Sequence, residues 1–317
     1  MGRALAVALL LAPTLAWSQS YPSQPINIVV TFPPGGSADL TTRIIGEKLA
    51  AKLGQPVVVE NRAGGGGEVG LVSVARAPAD GYRLLSTTSG SVALAGNLRQ
   101  VSYDAETDLV PISMLVKVPT AIAVNASLPV RTVSDLVRLS KERPGGLSYG
   151  NAGVGSFMHL AGEIFRVKTG ADLVSVPYRG TALTALAIKT GETQMGVADL
   201  TSLLPFAAEG SIRILGLVDT SRTSVAPDIP TIAEVGVAGF GVDAWVGIFA
   251  PRGTPAPIVT LLNATINEAL AMPDVRQRVL ASGLDPWVLS PQAMSAFVRE
   301  EIARWKALIR ETGVKVQ

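Results

Sequence analysis

A chain of 317 residues, 48% of them hydrophobic and 16% charged, is long enough for two hydrophobic cores and too apolar for disorder. Twenty-seven basic residues face 25 acidic ones without forming basic runs, which argues against nucleic acid or an anionic membrane surface as the main partner. Cysteine is absent, excluding disulfides, thiolate metal sites and a cysteine nucleophile.

Arg3, an apolar run from Ala4 to Ala16 broken by Pro13, and the small residues Ser18 and Ser20 predict a signal peptide over residues 1–20, with Ala16-Trp17-Ser18 as an alternative cleavage site. Removing it takes away Arg3, leaving 26 basic against 25 acidic residues and a net charge of +1. No later segment has the run of about 18 apolar residues that a spanning helix needs. An exported, periplasmic, soluble chain with no direct membrane insertion is expected.

Ile26 to Thr31 then reads as a strand, Phe32 to Ser37 as a turn, and Leu40, Ile44, Ile45, Leu49 and Leu53 as one face of a helix that Gly54 stops. Val57 to Val59 is a short buried strand, Gly64 to Gly67 a loop, Glu68 to Ala75 a helix and Tyr82 to Leu85 a third strand, with Ser86 to Ser91 as its exit. Such alternation predicts a parallel sheet with right-handed crossovers.

A second α/β set follows. Val118 to Asn125 is extended, Thr132 opens a helix through Glu142, and Leu147 to Gly150 is a strand feeding a glycine-rich turn. Leu160 to Val167 and Ala182 to Lys189 are helical; Leu173 to Val176, Gln194 to Val197 and Ile212 to Val218 are strands. Asp228 to Gly241 reads as a linker. Beyond it, Thr254 is expected to cap a helix carrying Ile258, Leu262 and Ile266, and Ser290-Pro291 to open a last amphipathic one.

Catalytic material is scarce. His159 is the single histidine and sits at a helix start without a neighbouring carboxylate, so it reads as a histidine bonded to backbone. No metal-ligand cluster, nucleophile elbow or phosphate loop occurs; catalytic residues, cofactors and metals are all expected to be none. Gly65, Gly67 and Gly70 fit a dinucleotide-binding spacing, but Ser86 and Thr87 stand where the ribose-binding acid belongs. The glycines read as a permissive loop.

Three loops remain that follow strands and precede helices: Phe32 to Asp39, Ser86 to Ser91 and Gly150 to Ser156. Helix-start N–H groups lack internal partners and favour an anion, glycines admit the ligand to the backbone, and hydroxyls add donors. That pattern predicts a carboxylate site shared between two lobes. Asp199 reads equally as a cleft residue and as a helix N-cap.

These loops lie among Tyr21-Pro22-Ser23-Gln24-Pro25-Ile26, Phe32-Pro33-Pro34-Gly35-Gly36-Ser37-Ala38-Asp39, Leu53-Gly54-Gln55-Pro56, Ala79-Asp80-Gly81-Tyr82, Tyr149-Gly150-Asn151-Ala152-Gly153, Val176-Pro177-Tyr178-Arg179-Gly180 and Pro251-Arg252-Gly253-Thr254-Pro255. In that order they resemble the periplasmic substrate-binding receptors of tripartite tricarboxylate transporters, the Bug proteins. The resemblance implies a two-lobed α/β fold of the periplasmic-binding type (type II), with lobe 1 over 21–120 and 243–317, lobe 2 over 121–242, and two crossings near residues 120 and 242. It implies hinge closure on a carboxylate held by Phe32, Gly36, Ser37, Ala38, Asp39, Asn151, Gly153 and Ser156, with Thr87, Ser89, Tyr178 and Asp199 completing the wall. Membrane transporter subunits and a monomeric state follow from the same likeness. Leu200 and Glu68 depart from the family's usual asparagines; with no evident lysine or arginine clamp, a mono- or dicarboxylate, or an amino acid, is expected before a tricarboxylate. A sensor-feeding receptor or a periplasmic enzyme on this fold would share these features.

Overall fold

The computed structural model describes residues 21–313; the signal-peptide reading falls outside them. In chain order the first half-lobe holds β1 (Ile26–Val30), α1 (Ser37–Leu53), β2 (Val57–Asn61), α2 (Glu68–Ala75), β3 (Arg83–Thr88), the short α3 (Ala95–Leu98) and α4 (Ala105–Asp108), and β4 (Leu109–Lys117). The second set runs β5 (Thr120–Asn125), α5 (Val133–Glu142), β6 (Leu147–Asn151), α6 (Phe157–Thr169), β7 (Leu173–Pro177), α7 (Thr181–Thr190), β8 (Met195–Asp199), α8 (Leu200–Ala208) and β9 (Ile212–Leu217). The chain then returns through β10 (Trp245–Pro251), α9 (Ala256–Ala271), α10 (Pro273–Ala281), β11 (Asp285–Pro286) and α11 (Pro291–Thr312).

Two mixed sheets result, ordered β11-β4-β10-β3-β1-β2 and β7-β6-β8-β5-β9. The expected parallel core is present as β2-β1-β3 and β7-β6-β8. The rest corrects the expectation of a parallel sheet: β10 inserts antiparallel between β3 and β4, and β5 runs antiparallel to both β8 and β9. The reversed strands β5 and β10 are each the first strand after the chain crosses into a sheet, whereas β4 and β9, the last before each crossing, run with the parallel core.

Other local readings change. Ser86 to Thr88 belong to β3 rather than to its exit. The N-cap of α9 is Pro255; the Thr254 hydroxyl donates instead to the carbonyl of Pro251. The segment read as a linker is packed, with Ile232, Val237 and Phe240 buried and Phe240 edge-on to Phe165. By contrast Thr132 caps α5 in a reciprocal capping box with Asp135, and Ser290 caps α11, as their positions predict.

The passage between sheets is stitched by backbone. Val118 N–H donates to the Ala244 carbonyl, Val218 N–H to Thr120 and Val242 N–H to Val218, each at 2.8 Å. Asp219, 3% exposed, accepts from Thr120 N–H, and the equally buried Asp243 accepts from the N–H and hydroxyl of Thr220. The apolar core runs unbroken through this waist by way of Val118, Val218, Val242, Ala244 and Trp305. Helix α11 spans it: Trp305 meets Phe157 of α6 edge-on at 5.6 Å, Arg304 bonds the Gly241 carbonyl, and Glu311 pairs with Lys168 at 3.5 Å.

Candidate functional site

Because β1 and β3 are parallel neighbours, their carboxyl ends bring two of the sequence-predicted loops side by side. Thr31 N–H donates to the Ser86 carbonyl, the Thr31 and Thr87 hydroxyls lie 2.9 Å apart, and Thr42 on α1 donates to the Ser86 hydroxyl at 2.6 Å. Thr87 and Ser89 are buried at this edge. The glycine run belongs to the same seam. A Cβ on Gly67 would lie 2.2 Å from the Ser91 hydroxyl oxygen, and one on Gly70 2.8 Å from the Arg62 carbonyl oxygen. The glycines let α2 close onto Thr31 and Ser91, which accounts for the spacing that imitates a nucleotide loop.

At the first loop, Pro33 to Gly36 are exposed, Phe32 and Ser37 half-buried, and Ala38 buried. The N-cap of α1 is Gly36, and no side chain caps that helix. Asp39, one turn in, does not cap it either. Its carboxylate, 4% exposed as a residue, accepts from Gly35 N–H at 3.0 Å, Arg43 at 2.9 Å and Asn61 at 2.9 Å. Burial acts to raise its pKa, but the hydrogen bonds from Arg43, Gly35 and Asn61 prevail and hold it below the ordinary value. Asn61 also donates to the Phe32 carbonyl, so the end of β2 props the loop. Asp39 thus shapes the loop and leaves the first amides of a 17-residue helix without a side-chain acceptor.

The second sheet repeats the device at β6. Asn151, fully buried, donates to Ser175 and accepts from Gly153 N–H at 3.0 Å, turning the chain over the sheet edge. Gly153 (φ 119°) and Gly155 (φ 76°) occupy backbone regions that side chains disfavour. Ser156 caps α6 by accepting His159 N–H, and His159 Nδ1 accepts Gly155 N–H at 3.2 Å. Burial pulls the imidazole pKa below its usual value, with Glu163 acting weakly the other way.

Tyr178 and Asp199 are placed differently from one another. The Tyr178 backbone joins the loop, its N–H donating to the Asn151 carbonyl. Its ring lies over Gly150, and its buried hydroxyl has no hydrogen bond within ordinary geometry; burial and the nearby Glu192 push its pKa up to about 12. Asp199 caps α8 by accepting Ser202 N–H at 2.9 Å and accepts the Thr181 hydroxyl at 2.8 Å, binding the starts of α7 and α8 together. It is the last residue of β8, in the same row of strand ends. Glu68 is likewise spoken for: Ser102 and Arg99 hold it and depress its pKa to about 2. Arg179 is exposed beside the loop.

The arrangement offers neutral N–H and hydroxyl donors from two sheet edges, suited to holding an anion's oxygens without a fixed cation. Cavities of about 550 and 500 Å³ lie elsewhere, under α5 with Lys141 and Lys168, and beside Tyr21 and Tyr82; the loop residues line neither.

Residues 41–314 match the family model of the tripartite tricarboxylate transporter family receptor. The chain belongs to that family. This receptor is 36% identical to the protein BugT of Bordetella pertussis, over 100% of its own length and 97% of BugT. Its structure resembles Rhodopseudomonas palustris Rpa4515 with adipate (TM-score 0.83, 35% identity, 93% of this chain and 99% of that one). It also resembles MatC from the same organism with bound malate (TM-score 0.79, 31% identity, 91% and 100%). The two-lobed binding-protein fold expected from the sequence is therefore the fold this receptor has.

Proposed function

We propose that this receptor captures a small dicarboxylate in the periplasm, between a lobe formed by residues 21–120 with 243–317 and a lobe formed by 121–242. Closure about the waist buries the ligand, and the closed monomer presents it to the membrane subunits of a tripartite transporter. The observation that carries the reading is the uncapped start of α1, facing solvent beside hydroxyl-bearing strand ends, with a second glycine-built amide loop at the matching edge of the other sheet. Two donor loops on separate lobes suit a ligand with a carboxylate at each end, and the adipate and malate of the similar structures support that class. Binding without turnover is supported by His159, whose Nδ1 is already committed to the backbone and is not free to act as a base.

The test is a thermal-shift titration with adipate, malate, citrate and the diamide of adipate. A ligand that binds only the folded state raises the melting temperature with occupancy. Dose-dependent shifts with the dicarboxylates and none with the diamide are expected, and Gly153→Val, which forces a side chain into a φ of 119°, should abolish them. An equal shift with the diamide would remove the carboxylate reading.

A further inference from the structure

His159 is the one histidine of the chain, and its position couples the second donor loop to proton concentration. Besides the bonds that tie Asn151 to Tyr178 and Ser175, three hydrogen bonds close the loop from Gly150 to Ser156. Asn151 accepts Gly153 N–H, the Gly153 carbonyl accepts Ser156 N–H, and His159 Nδ1 accepts Gly155 N–H. The first two acceptors do not titrate. The third does, because a neutral imidazole has one acceptor nitrogen whereas the cation has two donors. Proton uptake at Nδ1 sets N–H against N–H, and the Gly155 amide must leave.

We propose that His159 is a positioning residue for the ligand, holding the Gly150–Ser156 loop through its neutral Nδ1, so that affinity falls with acidification through this one imidazole. The inference rests on the receptor reading above. Burial of the ring, 7% exposed, favours the neutral form. On the same helix Glu163 faces it, but that carboxylate is occupied by the Tyr149 hydroxyl of β6 and by Arg166. From α11, Glu301 and Arg304 pair with each other, Arg304 also bonding Gly241, and Glu311 pairs with Lys168.

The experiment compares the untagged mature protein with His159→Asn, whose side-chain oxygen can take the place of Nδ1 but does not titrate in this range. Adipate Kd is measured by calorimetry from pH 7.5 to 5.5. Both proteins meet the same ligand protonation, so the ratio of their Kd values isolates the imidazole. The wild-type Kd is expected to rise relative to the variant by up to about tenfold per pH unit once below the imidazole pKa, the limit for one linked proton. Nitrogen NMR of the single imidazole gives a second reading on the wild type alone: Nδ1 unprotonated in the free protein, and a lower pKa when saturated with adipate. Identical pH profiles, an Nδ1–H tautomer, or a pKa raised by adipate overturns the proposal. A wild type that binds no carboxylate at any pH defeats the receptor reading itself, a result distinct from binding with an unchanged profile.

Discussion

Gly70→Ala sets two known effects against each other at one atom. Gly70 lies in α2, where alanine is favoured over glycine by about 1 kcal/mol. The added Cβ, however, would sit 2.8 Å from the Arg62 carbonyl oxygen, a contact that real Cβ atoms essentially never make, and a tight 3.1 Å from Thr31 Cγ2. Arg62 N–H is itself bonded to the Val30 carbonyl and Thr31 N–H to Ser86, so the neighbours are residues tied to strand ends, with little freedom to retreat. Overpacking of this kind costs about 1–3 kcal/mol, so after the helix gain of about 1 kcal/mol the net change is a destabilisation centred on about 1 kcal/mol. For units of this size that lowers the melting temperature by about 2–4 °C. Gly46→Ala is the control. It also lies inside a helix, but its Cβ would meet Val57 at 3.4 Å, an ordinary contact, so the helix preference should prevail and the melting temperature should rise. Scanning calorimetry of the two variants reads both signs. If Gly70→Ala also melts higher, the account of the glycine run as a close-packing device is wrong.

The waist and the glycine seam give further expectations. Trp305→Ala removes a fully buried side chain between α11 and Phe157 and should cost about 3–5 kcal/mol in urea unfolding; a loss under about 1 kcal/mol would mean that this contact does not join the lobes. Glu68→Gln should lower the melting temperature at pH 7. Its carboxylate titrates at about 2 when folded and near the ordinary 4.5 when unfolded, so its stabilisation is present above 4.5 and lost as pH falls towards 2, where the two proteins should converge. Asp219 behaves oppositely: burial raises its pKa well above 3.8, so the stability linked to its proton is present at low pH and lost as pH rises through the raised value. Asp219→Asn keeps an acceptor for Thr120 N–H and should therefore gain on the wild type between pH 4 and pH 8, read as a widening difference in melting temperature.

Much of the scaffold is legible because local signals agree with it. The strand, turn and helix at Ile26 to Leu53, the capping box at Thr132 and the Ser290-Pro291 opening each carry their own punctuation, and each forms where expected. Strands β4 and β10 carry none. Leu109 to Lys117 and Trp245 to Pro251 are apolar almost throughout and contain Pro111 and Pro251; β10 is buried at every residue. With both faces covered, the period-2 alternation that reveals a strand disappears. At the site, residue type marked the loops, while side-chain direction was beyond reach. Asp39 turns to Gly35 and Arg43, each four residues away, and to Asn61, and the Tyr178 ring lies over Gly150; the placing of Asn61 and Gly150 depends on which strands pair, which residue type does not tell. The role of His159 Nδ1 had a faint signal in its four-residue spacing from Gly155 at a helix start.

The insertion of β10 between β3 and β4 also orders assembly in time. All five strands of the second sheet come from one uninterrupted stretch, Thr120 to Leu217, so that sheet can form as soon as this stretch is free. The first sheet cannot: until Trp245 to Pro251 arrives, β3 and β4 each present a row of unpaired backbone groups, and β11, α9 and α11 have no finished surface to settle on. Its parallel strands are made first and completed last. The sheet that contributes the uncapped helix start is therefore the one completed last: a chain cut short before Trp245 keeps all five strands of the second sheet, while in the first β3 lacks one neighbour and β4 both.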